Sequence, residues 1–265
     1  MTTSIPTLGV VLVPTLPPEA IRPLALAADR HLDELWLWED CFKESSIAAA
    51  GAALAWTERV RVGIGLAPVP LRNVALLAME LATLHRLFPG RLLPGIGHGV
   101  QDWMAQVGAR PASPLTLLRE HAEALRRLLD GEEVTVSGRY VQLDRVRLDW
   151  PPEPGTPLLI GGSGPRTLGL AGELGDGILL GSELSEADVA ASVLAARAGW
   201  ASDATMPVAT HLLVTTRDAR AVADDVRGLV EVGVTTVVFQ PPEDEPDLDE
   251  FVEFVGREVR AALAG

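Results

Sequence analysis

At 265 residues, 48% of them hydrophobic, the chain is long enough to bury one sizeable core. Its 22 basic residues against 36 acidic ones give a formal charge of −14, which argues against nucleic acid or an anionic membrane surface as a partner, since phosphate binding needs clustered Lys and Arg. Cys41 is the only cysteine, so no intrachain disulfide can form, and the N-terminal stretch MTTSIPTLGVVLVPTLPPE has no basic start and is broken by prolines; both features predict a cytoplasmic protein without a signal peptide or membrane span.

In chain order, eight apolar runs read as strands: LGVVLV (8–13), ELWLW (34–38), VRVGIGLA (60–67), RLLPGIG (91–97), PLLIG (157–161), DGILLG (176–181), VATHLLVT (208–215) and TTVVFQ (235–240). Each ends in Gly, Pro or an acidic residue, or runs on into a polar segment. The stretches between them carry apolar residues at helical spacing, as in Ile21, Leu24, Ala25, Ala28 and Leu32, or Val222, Val226 and Leu229. The last such stretch starts at Asp247, with Glu250 three residues on, the spacing of a capping box. This alternation predicts repeated βα units, closed as a single (β/α)8 TIM barrel domain over residues 1–265.

Residues 98–156 separate the fourth and fifth strands by more than a loop. Ser113-Pro114 opens a helix there with Leu118, Ala122, Leu125 and Leu129 on one face, and VTVSGRYVQL (134–143) reads as a hairpin turning at Ser137-Gly138. An insertion in this place is expected to shape the active-site mouth. The acidic PPEDEPDLDE (241–250) reads as a solvated connection.

Three motifs bear on chemistry. IGGSGPRTLGLA (160–171) passes from a strand end through a glycine turn into a helix, which exposes backbone N–H groups to an anion, with Arg166 as an added donor. The same spacing also describes a tight βα turn with an exposed arginine. RLLPGIGHGVQDWM (91–104) ends the fourth strand with glycines at 95, 97 and 99, suited either to a crowded barrel rim or to ligand contact, and His98 interrupts the run where barrel enzymes place proton chemistry. In ELWLWEDCF (34–42), Trp36 and Trp38 alternate with Leu35 and Leu37, and Glu39-Asp40 follow, either as carboxylates that raise one another's pKa and hold a proton or as a helix-capping acidic turn. His31, His85 and His121 fall in helical segments and His211 inside a strand. No metal-ligand spacing is present, so no metal is expected.

Taken in order, ELWLWED, VRVGIGLAPVPLRNVALLAMELATLHRLFPGRLLPGIGHG, LLDGEEVTVSGRYVQL and LLIGGSGPRTLGLAGELGDGIL resemble the luciferase-like monooxygenase superfamily, and within it the F420-dependent oxidoreductase branch. The resemblance implies a cofactor ring at the C-terminal barrel face, a non-prolyl cis peptide between Gly65 and Leu66, and a phosphate against the turn from Gly161 to Arg166. On that basis the cofactor-binding residues are Gly65, Leu66, Ala67, Gly97, His98, Gly161, Gly162, Ser163, Gly164, Pro165 and Arg166, and the catalytic candidates are Glu39, Asp40 and His98. It further implies hydride transfer between F420 and a small-molecule substrate, with an FMN-dependent monooxygenase or a flavin-binding protein without turnover as alternatives, and it allows a homodimer. The chain departs from the family where Asp40 stands in place of a common histidine, and where Val100 stands in place of an acidic residue found in some sugar-phosphate dehydrogenases.

Overall fold

Short apolar strands too hydrophobic to leave a face in water, alternating with helices, can bury both surfaces in a doubly wound open sheet or in a closed barrel ringed by helices. The computed structural model, which describes residues 5–243 and 245–265, shows the closed barrel. In order the elements are β1 (Thr7–Leu12), α1 (Ile21–His31), β2 (Glu34–Leu37), α2 (Ser46–Trp56), β3 (Arg61–Pro68), α3 (Val74–Leu87), β4 (Leu92–Gly97), α4 (Gln101–Gln106), α5 (Pro114–Leu129), β5 (Val134–Ser137), β6 (Gln142–Val146), β7 (Leu159–Gly161), α6 (Pro165–Leu174), β8 (Gly177–Leu179), α7 (Glu186–Arg197), β9 (Val208–Leu213), α8 (Ala219–Glu231), β10 (Thr236–Gln240), α9 (Leu248–Glu253) and α10 (Arg260–Ala264). Residues 1–4 of the N-terminal stretch, and Asp244 of the acidic connection, lie outside the described residues.

The eight runs expected to be strands are the eight staves of a closed parallel barrel in the order β1-β2-β3-β4-β7-β8-β9-β10, with β10 pairing back onto β1. Strand alternation sorts their side chains into two cores. Leu35 and Leu37 of β2 face outward against the helices, joining Leu24 of α1 and Leu54 of α2. Val11, Trp36, Leu159, Leu179, Ala209 and Val238 face inward and fill the barrel.

Trp36 is the largest of the inward residues and is 1% exposed. Its indole donates to Glu34 Oε2 at 2.7 Å, and the other Glu34 oxygen accepts from Arg61 Nη2 at 2.6 Å. Burial raises the Glu34 pKa, with Arg61 opposing. The neighbouring strand makes room for the ring by having no side chain at Gly63, where a Cβ would lie 2.4 Å from the indole. Gly63→Ala is therefore expected to destabilise the protein by ~1–3 kcal/mol through overpacking, read as a lower urea midpoint. An unchanged midpoint would mean that the indole is free to move aside.

Three local expectations are corrected. The hairpin of β5 and β6 does not turn tightly at Ser137-Gly138. Ser137 pairs with Gln142 across a four-residue loop, because Glu120 of α5 accepts the N–H groups of Arg139, Tyr140 and Val141 and stabilises the wider turn. Of the long insertion, only its start, around Val100 and Trp103, lines the cleft at the barrel mouth, whereas Tyr140, Val141 and Gln142 line a separate cavity beside the segment that follows β3. Asp247 does cap α9, accepting from the N–H groups of Asp249 and Glu250, but no return bond from Glu250 completes a capping box; the complete box is Ser185 with Asp188 at α7. After α9 the helix widens into a π-helical stretch, Phe254–Val259, where Gly256 packs so closely on α1 that a Cβ would stand 2.6 Å from the His31 carbonyl oxygen.

Candidate active site

A cleft of about 520 Å³ opens at the C-terminal ends of the strands, a volume in the range of small-molecule sites. Its lining comes from the C-terminal parts of β3, β7 and β8, from the residues that follow β2, β4, β7 and β8, and from His211 of β9. Sequence positions far apart meet there because a parallel barrel delivers every strand's C-terminal end to one face.

The floor is made by β3. Its ladder with β4 breaks register between Ile64 and Ala67, and the Gly65–Leu66 peptide between them is cis, as the resemblance implied; Cys41–Phe42 is cis as well. The Leu66 side chain lies over the ends of β4 and β7, where a Cβ at either Gly97 or Gly161 would come within 2.5 Å of it. Those two glycines thus have a packing reason, and Gly97 lies beneath Leu66, outside the lining.

One wall is the turn Gly161-Gly162-Ser163-Gly164, which leads into α6 with Pro165 in its first turn and no side-chain cap. The first N–H groups of the helix are left for a ligand, and the helix dipole favours an anion there. At Gly164 and at Gly181 across the cleft, an added Cβ would meet no protein atom within 4 Å, so both positions leave open space for a bound group. Gly162 serves differently: a Cβ would lie 2.4 Å from Thr167 Cγ2, and its absence lets Thr167 reach His98. His98 Nε2 is 3.0 Å from Thr167 Oγ1, while its Nδ1 is buried without a partner among the described residues. Burial lowers the His98 pKa, and the Pro114 backbone opposes the shift without meeting hydrogen-bond geometry, so the imidazole is neutral at pH 7.

The opposite wall carries the two adjacent carboxylates, and they separate in role. Glu39 is engaged: Arg72 Nη1 donates to one oxygen, and the other accepts from Ser46 N at 3.1 Å and from Ser46 Oγ at the start of α2. It is a brace between three segments, close to the capping alternative. Asp40 lines the cleft with its pKa raised by burial and opposed by Lys43, so desolvation and not repulsion between the two acids accounts for its shift.

Of the other residues singled out from sequence, Ala67 is 2% exposed and packs into the outer core, whereas Pro165 and Arg166 are exposed on the first turn of α6 and do not line the cleft. Sequence reasoning missed the pair Trp38 and His211. The Trp38 indole donates to His211 Nε2 at 2.9 Å, the rings meet edge-on with centroids 5.0 Å apart, and His211 Nδ1 lies 3.2 Å from the Leu180 carbonyl oxygen. Burial pushes its pKa down to about 4, with the bond to the Leu180 carbonyl opposing. The signal was present in the strand period, since His211 is two residues after the inward-facing Ala209.

A family model described as luciferase-like monooxygenase matches residues 6–249 of the chain. Similar proteins include a 5,10-methylenetetrahydromethanopterin reductase of Methanolobus tindarius, 30% identical over 195 residues that make up 72% of this chain and 59% of that one. An F420-dependent glucose-6-phosphate dehydrogenase of Nakamurella multipartita is 32% identical over 178 residues, 61% of this chain and 52% of the other. The chain therefore spans between half and two thirds of the length of these curated relatives. Among solved structures, the coenzyme F420-dependent tetrahydromethanopterin reductase from Methanopyrus kandleri has the same fold, with a TM-score of 0.83 at 19% identity over 98% of this chain and 100% of that one.

Proposed function

Because this chain belongs to the luciferase-like monooxygenase family, we propose that it is an oxidoreductase that passes a hydride between the deazaflavin F420 and a small organic substrate. The observation that carries this is the joining, in one cleft, of an uncapped glycine-led helix start at Gly161–Gly164 with an apolar floor at Leu66 and two titratable groups, Asp40 and His98. The relatives named as F420-dependent support the choice of cofactor. When bound, the deazaflavin supplies a two-electron hydride carrier, and the protein supplies position and electrostatics.

The work of the chain's own residues follows from their placement. The first N–H groups of α6 hold an anionic group, and Gly164 and Gly181 leave it room. Leu66 and Trp38 exclude water from the floor and wall. Asp40 or His98 holds the proton exchanged with the substrate oxygen. Glu39, tied to Arg72 and Ser46, keeps the loop that carries Asp40 in place. Arg166, exposed beside the turn, is free to swing onto the anion; a charge-assisted hydrogen bond is worth ~1.5–3 kcal/mol, so Arg166→Ala is expected to raise the cofactor Kd ~10–100-fold. An unchanged Kd would leave it a surface arginine.

The test is to add F420 and FMN separately and follow melting temperature, absorbance and oxygen uptake. Stabilisation by F420 with no oxygen consumption is expected. Preferential FMN binding with oxygen uptake would replace the proposal with the monooxygenase alternative, and tight binding with no redox exchange would favour a carrier. Among the described residues no helix is long and apolar enough to cross a membrane, and we place the protein in the cytoplasm. A homodimer would use the apolar patch of Leu76, Met79 and Leu87 on α3 beside Trp150, all exposed.

A further inference from the structure

The cleft is unusual in its charge. Among the described residues that line it there is no lysine and no arginine. Its two histidines are both neutral at pH 7, since burial pushes His211 down to about 4 and lowers His98. Glu39 is already paired with Arg72, whose guanidinium also lies 3.3 Å from Glu80 and so is not available to a ligand. The features that attract an anion are the start of α6 and Arg166 on its first turn, and the cofactor reading assigns both to the cofactor's own phosphate. A second anion brought into the cleft would lose its water and find no cation among the lining residues; Lys43, the cation that acts on Asp40, is exposed and donates to the Pro14 carbonyl oxygen.

The remaining surface is apolar and partly aromatic. Trp38 presents an indole whose N–H is satisfied by His211, which is itself anchored on the Leu180 carbonyl, so the ring is held in one orientation as a fixed wall. Trp103 and Val100, from the start of the long segment after β4, complete the apolar rim, and Val100 is 47% exposed.

We propose that the substrate of this cleft is an uncharged, largely apolar compound with a flat ring, seated against Trp38 and Trp103, and that phosphorylated or carboxylated compounds are rejected for want of a cation. This deepens the hydride-transfer proposal and rests on it for the word substrate. The selection itself is a property of the walls and is measurable without turnover.

The probes are 2-naphthol and 2-naphthyl phosphate, titrated by calorimetry against the protein in saturating inorganic phosphate, added to compete for the α6 anion position, and against protein incubated with F420. In both states 2-naphthol is expected to bind at least ~10-fold more tightly than its phosphate ester, the ester paying for an unpaired charge. Trp38→Ala is expected to weaken 2-naphthol on the order of 10-fold, with Trp38→Phe retaining most of the affinity. Val100→Lys changes an exposed position, adds the missing cation, and is expected to narrow the preference, whereas Val100→Met is not.

Equal or tighter binding of the ester, no binding of either probe, or a preference untouched by Val100→Lys would each overturn the proposal. Failure of F420 to bind while the preference for 2-naphthol persists would remove the hydride-transfer assignment and leave the selection standing.

Discussion

His98→Gln or Asp40→Asn is expected to lower turnover by ~10²–10⁴-fold while leaving cofactor affinity nearly unchanged, because a positioned acid or base contributes about that much and neither residue belongs to the anion turn. Both substitutions conserve size and alter only proton chemistry. Their environments push the two groups toward each other on the pH scale: burial raises Asp40 from the usual carboxylate range and lowers His98 from the usual imidazole range. On the proposed assignment, neutral His98 takes the substrate proton when an alcohol is oxidised. Activity should then fall as the pH drops through its pKa, which burial places below the usual imidazole value, and His98→Gln should abolish that acid limb. Thr167→Val, which removes the hydroxyl 3.0 Å from His98 Nε2, is expected to shift the limb with a smaller loss of rate, as suits a positioning residue. Full turnover and an unshifted pH profile in both His98→Gln and Asp40→Asn would show that neither handles the proton. Glu39→Gln serves as the contrast, since it loosens the bond to Arg72 and is expected to act on stability first.

Acid is expected to destabilise the protein chiefly through its buried histidines. His85, His121 and His211 are buried, with burial the leading cause pressing each pKa from 6.5 to about 4. Each is neutral in the folded state and takes up a proton readily only once unfolded. The stability that depends on their neutrality is fully present above pH 6.5 and is lost as the pH falls toward 4, at about 1.4 kcal/mol per pH unit for each histidine. Together they contribute a slope of roughly 4 kcal/mol per unit in the middle of that window. Glu34, Asp40 and Glu80, whose pKa values burial raises, act in the opposite sense and offset part of the loss, because they bind protons more readily when folded. Urea unfolding measured from pH 8 to pH 5 reads the net slope. His121→Leu should reduce the slope by about a third of the histidine contribution and, having removed a buried Nε2 with no partner among the described residues, should not lower stability at pH 8. A slope in that variant identical to the unsubstituted protein's would refute the assignment.

Strand period and helix period are local properties of the chain, and they were enough to place all eight barrel strands and the helix opening at Ser113-Pro114. The glycine turn at 161–164 and the cis bond at Gly65–Leu66 were likewise legible, the first from spacing and the second from family resemblance. What the tertiary structure alone decided was partnership. Glu39 and Asp40 are adjacent in sequence and alike in chemistry, yet Arg72 and Ser46 claim one and burial perturbs the other, because side chains from β3–α3 and α2 arrive beside only the first. The hairpin turn widened because Glu120, on another element, supplied an acceptor that no local rule could include. His211 became part of a cleft wall only when barrel closure brought Trp38, 173 residues away, within 2.9 Å. Periodicity is written along the chain and survives in any segment read alone, whereas hydrogen-bond partners and desolvation depend on which distant surfaces meet, and that is settled only when the sheet closes on itself.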